Sequence, residues 1–519
     1  MDALVVLIPL VPFLAAVLIG TGHLFGVIKG EASESFTALT ASWAISMSCL
    51  LAFALLGADL LQKNNGVFEV GPWLNSDGLK IVFSFITAGF NVKLAALFAV
   101  LLMVIVRFSV NYMHRETGFH RFFFILSLFS SAMLLLVLSG NALGTFVGWE
   151  IAGLCSYLLI AYAYDRPVAV ANATRVFVTN RIGDAGFILG MGLSYAWVES
   201  LNWADINAAA AGLSKGEAVS IALCFTVAAL AKSAQLPFSP WLARAMEGPT
   251  PSSAAFYGAV MVHAGVFLII QLEPLISQTP LVMALLIFSG ATTALYSYFV
   301  GLTQTDVKSS LVFATSGQLG LMFLECGLGF WYLASWHLCA HAVVRCYSVL
   351  TAPSFMYNVK DAPVKPIAPM LANKQWLFMA SLQRFWIEQI SDWILVKPIR
   401  RLAHDLSYFD GRIVDQIMGI PAPAIRVVSS LAQLEERALG VRLENGNLLT
   451  SGTGLVGAIA GFLARLVHWF EDRLVLQGIS KDALHFGREI GHLANKFETV
   501  VLRPRYLVLL VFITLLVAF

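Results

Sequence analysis

Charge is scarce in this chain of 519 residues. Only 12% of them are Asp, Glu, Lys or Arg, while 58% are hydrophobic, which excludes an ordinary soluble globular domain. The net charge of +2 and the absence of any basic run exclude a nucleic-acid partner. Cysteine is nearly as sparse: Cys49, Cys155, Cys224, Cys326, Cys339 and Cys346 are scattered through apolar segments without a CxxC pair. That pattern excludes an iron–sulfur cluster, a structural zinc site and a disulfide framework, and it leaves six small buried hydrophobes. No phosphate loop, dinucleotide fingerprint or nucleophile motif is present, so no catalytic centre and no cofactor are expected on this chain. Met1 to Gly20 lacks a basic leader and carries Asp2, so it reads as a first membrane span and not as a cleaved signal.

What the chain does have is long apolar runs. At about 20 residues per crossing, spans are expected near 3–21, 36–58, 83–107, 121–139, 142–164, 175–198, 218–236, 251–273, 279–301, 307–327 and 328–351. The class is an all-α polytopic membrane protein, divided into N-terminal helices (1–80), a multi-helix module (81–351), an amphipathic region (352–503) and a C-terminal membrane anchor (504–519). The amphipathic region begins among Pro353, Pro363, Pro366 and Pro369, and 18 of the 33 Lys and Arg residues lie between Lys360 and Arg505. Its segments RFWIEQISDWILVKPIRRL and GFLARLVHWFEDRLVL have the helical spacing expected of helices lying on a membrane surface or a partner. Phe486, Ile490, Leu493, Phe497 and Val500 form a further packing seam, and YLVLLVFITLLVAF at the end makes about 21 Å of helix.

Within the apolar module, ionisable residues recur where lipid would reject them. Glu150 sits in FVGWEIAGLCSYLLI, and Lys232 sits one turn before Pro237 and Pro240. The two prolines should break the helix just past the lysine, and a broken intramembrane helix is tolerated only where it is buried or lines a cavity. Beyond it, Thr250 is expected to cap a helix with Pro251 in its first turn, carrying His263. Lys308 follows, and then WHLCAHAVVR places His337, His341 and Arg345 at i, i+4 and i+8 on one helical face. Lysine and histidine can exchange protons near neutrality, so the series Glu150, Lys232, His263, Lys308, His337, His341 reads as a hopping chain, with Arg345 as a fixed charge. Two duller readings stand beside it: Glu150 and Lys232 as a static ion pair, and His263 as a satisfied interior histidine. Arg181 and Asp184, in TNRIGDAG, are expected to pair at a helix end and hold backbone. His337 and His341 have zinc-like spacing but no third ligand nearby, so a metal is not expected.

The phrases SVNYMHRETGFHRFF, FVGWEIAGLCSYLLI, FVTNRIGDAGFILG, LAKSAQLPFSPWLARAMEGPTPSSAAFYGAVMVHAG, TDVKSSLVFATSGQLG and HLCAHAVVR, in that order, resemble the antiporter-like membrane subunits of respiratory complex I, above all the distal, L-type one. The resemblance implies a proton-conducting subunit of a larger complex in a bacterial inner membrane. In it Glu150 is the helix-five glutamate, Lys232 the broken-helix lysine, His263 the bridging histidine, and His337 and His341 the pair that leads to a central lysine. Arg345 stands where that lysine would be, and a second broken helix is not evident after Thr351. These departures point to a relative, of the kind in which a DabB membrane subunit works with a large zinc-containing DabA-like partner in inorganic carbon uptake. The alternatives are a proton-pumping subunit of an NADH–quinone oxidoreductase or membrane-bound hydrogenase and, from another class, a non-conducting anchor for a soluble enzyme.

Overall fold

A computed structural model describes residues 2–76, 79–358 and 373–409. Helices α1 (Leu4–Leu24), α2 (Glu34–Leu60), α3 (Phe90–Tyr112), α4 (Phe119–Leu138), α5 (Ala142–Ile160) and α6 (Pro167–Val198) open the chain. Next come α7 (Trp203–Ala209), α8 (Lys215–Lys232), α9 (Pro240–Arg244), α10 (Thr250–Ser253), α11 (Ala264–Gln271) and α12 (Glu273–Ser277). The module ends with α13 (Pro280–Gly301), α14 (Val307–Gly327) and α15 (Trp331–Asn358), after which α16 (Gln375–Leu382), α17 (Ile387–Ser391) and α18 (Lys397–Phe409) follow.

Each of the eleven expected spans overlaps helix. Eight are long and apolar enough to cross a membrane, while α6, α8 and α15 are the three diluted by charged or histidine residues. Local sequence sets the starts. Asn141 caps α5 by accepting from the Gly144 N–H at 2.7 Å, Asp306 caps α14 through Ser309 N–H at 2.8 Å, and Ser214 with Glu217 forms a capping box on α8. Small residues set the packing: a Cβ on Gly320 would fall 2.7 Å from the Gly290 carbonyl, so only glycine lets α13 and α14 approach so closely.

One element lies outside the helical reading. Strands β1 (Val67–Ser76) and β2 (Leu79–Ile86) pair antiparallel before α3 begins at Phe90, where a helix from about residue 83 was expected. The hairpin is bound to the α4–α5 connection, with Gly140 N–H donating to Ser84 O at 2.9 Å and Asn141 Nδ2 to Val82 O at 2.7 Å.

The centre is the run from Thr250 to Gln271. It is almost wholly buried among α3, α5, α8, α14 and α15, and it is not one regular helix. After α10 comes a π-turn (Ala254–Ala259), an irregular Val260 and a 3₁₀ turn (Met261–His263) before α11. The helix starts at Thr250 itself, whose hydroxyl meets the Tyr112 hydroxyl at 3.0 Å instead of capping the turn as expected.

Two units divide at Val396/Lys397. The first thus includes α16, α17 and the turn through Val396, and α18 belongs to the second. The segment GFLARLVHWFEDRLVL, the 486–500 seam and the 504–519 anchor lie outside the described residues.

Candidate functional site

The break falls where the prolines put it. α8 ends at Lys232, Ala234 is left-handed (φ 52°), Leu236–Pro237 is a cis peptide, and Pro240 starts α9. Lys232 is 1% exposed, and its Nζ donates to the Trp149 backbone carbonyl at 3.0 Å while lying 4.9 Å from the centroid of that indole ring. Gly153, one turn after Trp149, leaves room for this ammonium: a Cβ there would lie 3.1 Å from Nζ.

Glu150 is not the direct partner of Lys232. It pairs with Arg181 Nη1 at 2.5 Å, and Arg181 Nη2 stands 2.9 Å from Asp184 Oδ2, an ion pair at an angle too poor for a hydrogen bond. Asp184 Oδ1 accepts from Trp149 Nε1 at 2.8 Å. Arg181 and Asp184 therefore lie in mid-helix, inside α6 and inside the charge cluster, and not at a helix end as expected. The reason is helix rotation: α6 and α8 pack face to face, and the Arg181 fork reaches Glu150 first.

The break is joined to the second irregular segment. Ser233 Oγ donates to Val262 O at 2.6 Å, so Lys232 and His263 are sequence neighbours of the two ends of one hydrogen bond. His263, fully buried, places Nε2 2.9 Å from His341 Nδ1, and His341 Nε2 accepts from Arg345 Nε at 3.2 Å. Because arginine only donates, the neutral His341 carries its proton on Nδ1 and gives that bond to His263 Nε2. His263 Nδ1 then holds the other N–H, buried and with no well-formed hydrogen bond among the described residues.

His337 sits beside this line, its ring perpendicular to that of His341 with centroids 6.2 Å apart. Nδ1 meets Glu325 Oε1 at 2.9 Å and Nε2 meets Gln318 Oε1 at 2.8 Å. From the sequence Glu325 carried no assigned role, and neither Gln318 nor Trp149 was expected here. The signal was the i, i+7 spacing of Gln318 and Glu325, which puts both on one face of α14. Lys308 does not join them: it is in the first turn of α14, about 15 Å along the helix from Gln318 at 1.5 Å per residue. The structure thus groups Glu150, Arg181, Asp184 and Lys232, and separately His263, His341, Arg345 and His337. Among the described residues no three His, Cys, Asp or Glu side chains are arranged to hold a metal.

Residues 139–379 match the family described as NADH:quinone oxidoreductase/Mrp antiporter, transmembrane. The chain is 33% identical over 389 residues to NAD(P)H-quinone oxidoreductase subunit 5 of the Nephroselmis olivacea chloroplast, covering 73% of this chain and 59% of that one. It is also 33% identical over 365 residues to chain 5 of the same oxidoreductase from Synechocystis sp., covering 68% and 53%. The chain spans about half the length of the curated relatives it matches. Among solved structures it resembles the Mrp complex from Dietzia sp. (TM-score 0.59, 24% identity, 68% of this chain and 38% of that one). A second likeness is to an archaeal membrane-bound sulfane sulfur reductase (TM-score 0.57, 18% identity, 68% and 56%). At these identities the two likenesses establish the fold.

Proposed function

Because residues 139–379 belong to the NADH:quinone oxidoreductase/Mrp antiporter transmembrane family, we propose that this chain is a proton-conducting membrane subunit of a multisubunit complex. The observation that carries this reading is Lys232: a buried amine at a helix break, hydrogen-bonded to a single backbone carbonyl and joined through Ser233 and Val262 to a bonded histidine pair. Among the described residues no carboxylate stands in direct contact with this amine, which leaves it the freedom that a group gaining and losing a proton needs. The path runs from the Glu150–Arg181–Asp184 cluster to Lys232, and on to His263 and His341. Arg345 closes its end as a fixed donor, and Lys308 stays outside it.

The relatives named NAD(P)H-quinone oxidoreductase support a redox-driven complex as the setting, in a bacterial or organellar membrane. Redox groups then reside on partner subunits and none on this chain. A carbon-uptake complex with a zinc-bearing DabA-like partner is the second reading, resting on Arg345 in place of the resembled family's lysine. Purifying the complex from its native membrane and identifying its subunits by mass spectrometry separates the two. Proton flux into liposomes holding that complex, wild type beside Lys232→Ala, tests conduction. Equal flux and equal coupled activity would make the chain an anchor.

A further inference from the structure

The segment from Arg384 to Val396 turns its carboxylates toward the protein. Glu388 Oε1 accepts from Arg244 Nε at 2.5 Å, pairs with Arg244 Nη2, and lies 3.4 Å from Arg175 Nη1, while Glu388 Oε2 is 3.6 Å from Arg384 Nη1. Asp392 forms a two-pronged pair with Arg175, Nε to Oδ1 at 2.7 Å and Nη2 to Oδ2 at 2.5 Å. The other side of the segment is apolar and outward, with Trp386, Ile390, Trp393 and Ile394 all exposed. Its entry is held by the module: the Phe385 ring meets Tyr296 edge-on at 6.1 Å, and the Arg384 guanidinium lies 5.3 Å from the Phe313 ring centroid. Arg384, Phe385 and Trp386 are all left-handed (φ 51°, 52° and 54°), a costly backbone for three non-glycine residues in succession, kept only where surrounding contacts over-determine it.

Arg244 is the last residue of α9, the short half-helix beyond the break. Three residues earlier, Trp241 Nε1 donates to the Ala231 carbonyl at 2.8 Å, in the last turn of α8 beside Lys232. One carboxylate on the outer segment therefore holds the end of a five-residue helix that packs on α6 and α14 and also donates to the peptide next to the buried lysine. Three guanidinium groups converge on Glu388, and removing its charge leaves them to repel one another at α9.

We propose that Glu388 is a positioning residue for Lys232, acting through Arg244 and α9 to fix the break around the ammonium. This rests on the reading of Lys232 as a proton carrier. Any partner subunit that drew on the outer segment would act on the lysine through the same link.

The test uses the full-length chain in its complex, reconstituted in liposomes, with Glu388→Gln, Glu388→Asp, Arg244→Lys and Asp392→Asn. The first readout is the rate at which a small charged thiol reagent labels Lys232→Cys, above the rate for the parent chain with its own cysteines. Glu388→Gln should raise that rate at least tenfold, Arg244→Lys less, and Asp392→Asn, whose hydrogen bonds among the described residues go to Arg175 and not to Arg244, should change it least. The second is proton flux against pH: Glu388→Gln should move the half-maximal point by one unit or more, and Glu388→Asp should restore it. Unchanged labelling and an unchanged profile in Glu388→Gln overturn the proposal, as does an equal effect of Asp392→Asn. If Glu388→Gln does not accumulate, Glu388→Asp and Arg244→Lys decide by the same readouts. A wild-type complex that passes no protons sinks the conduction reading, and the labelling rates still decide the positional link.

Discussion

Replacing Gly153 with alanine adds one methyl group, and the structure says where it lands: 3.1 Å from Lys232 Nζ and 3.6 Å from Arg181 Nη2. The first distance is inside ordinary carbon–nitrogen contact, so the ammonium must retreat by a few tenths of an ångström. Its bond to Trp149 O is already 3.0 Å long and leaves little slack. A hydrogen bond to a charged group contributes about 1.5–3 kcal/mol net. If that bond sets the lysine for proton transfer, the rate falls roughly ten- to a hundredfold, at about 1.4 kcal/mol per decade. The helix itself works the other way, because alanine in place of glycine within a helix favours folding by about 1 kcal/mol. Gly153→Ala should therefore accumulate and insert at least as well as wild type while its flux drops. The assay is dye-monitored acidification of liposomes containing the complex, with thermal unfolding in detergent on the same preparation. Full flux in a well-folded Gly153→Ala variant would refute this account of the lysine.

Glu150→Gln keeps shape and leaves Arg181 one carboxylate; the complex should assemble and coupled activity fall at least tenfold, whereas loss of assembly on native gels would mark a static brace. Arg181→Ala strands two acidic groups and should cost about 1–3 kcal/mol of stability, read as a lower unfolding midpoint in detergent. His341→Ala should abolish flux, while Arg345→Lys, which keeps the charge but loses the planar fork, should retain part of it with a displaced pH optimum. Lys308→Ala should leave flux at the wild-type level, and a large loss would return Lys308 to the path.

The break at Lys232 was readable from sequence because proline acts locally, through a missing N–H and a ring that clashes one turn back. The π-turn at Ala254–Ala259 was not. The stretch SSAAFYGAVMVH holds no proline and no charge, and its distortion comes from the helices packed around it. The hairpin was missed because Val82–Ile86 runs almost into α3, and only Thr87, Ala88 and Gly89, the last at φ 78°, separate strand from helix. Charge pairing was half legible: composition put Glu150, Arg181, Asp184 and Lys232 in the membrane, but which of them touch depends on how α5, α6 and α8 are rotated about their axes. Likewise the spacing of RFWIEQISDWILV gave two faces without saying which looks inward, and Arg175 and Arg244 settled that.

Counted as ionised, Glu150, Asp184, Arg181 and Lys232 sum to zero. A cluster of zero net charge feels no net force from a voltage across the bilayer, so at fixed side-chain positions the field does not displace it as a whole. The added proton is what makes each group of side chains responsive, and it carries one elementary charge, worth about 2.3 kcal/mol for a full crossing of 100 mV. Conduction through this chain should thus depend on voltage chiefly through the proton carried, with any shift of charged side chains along the membrane normal adding to the steepness.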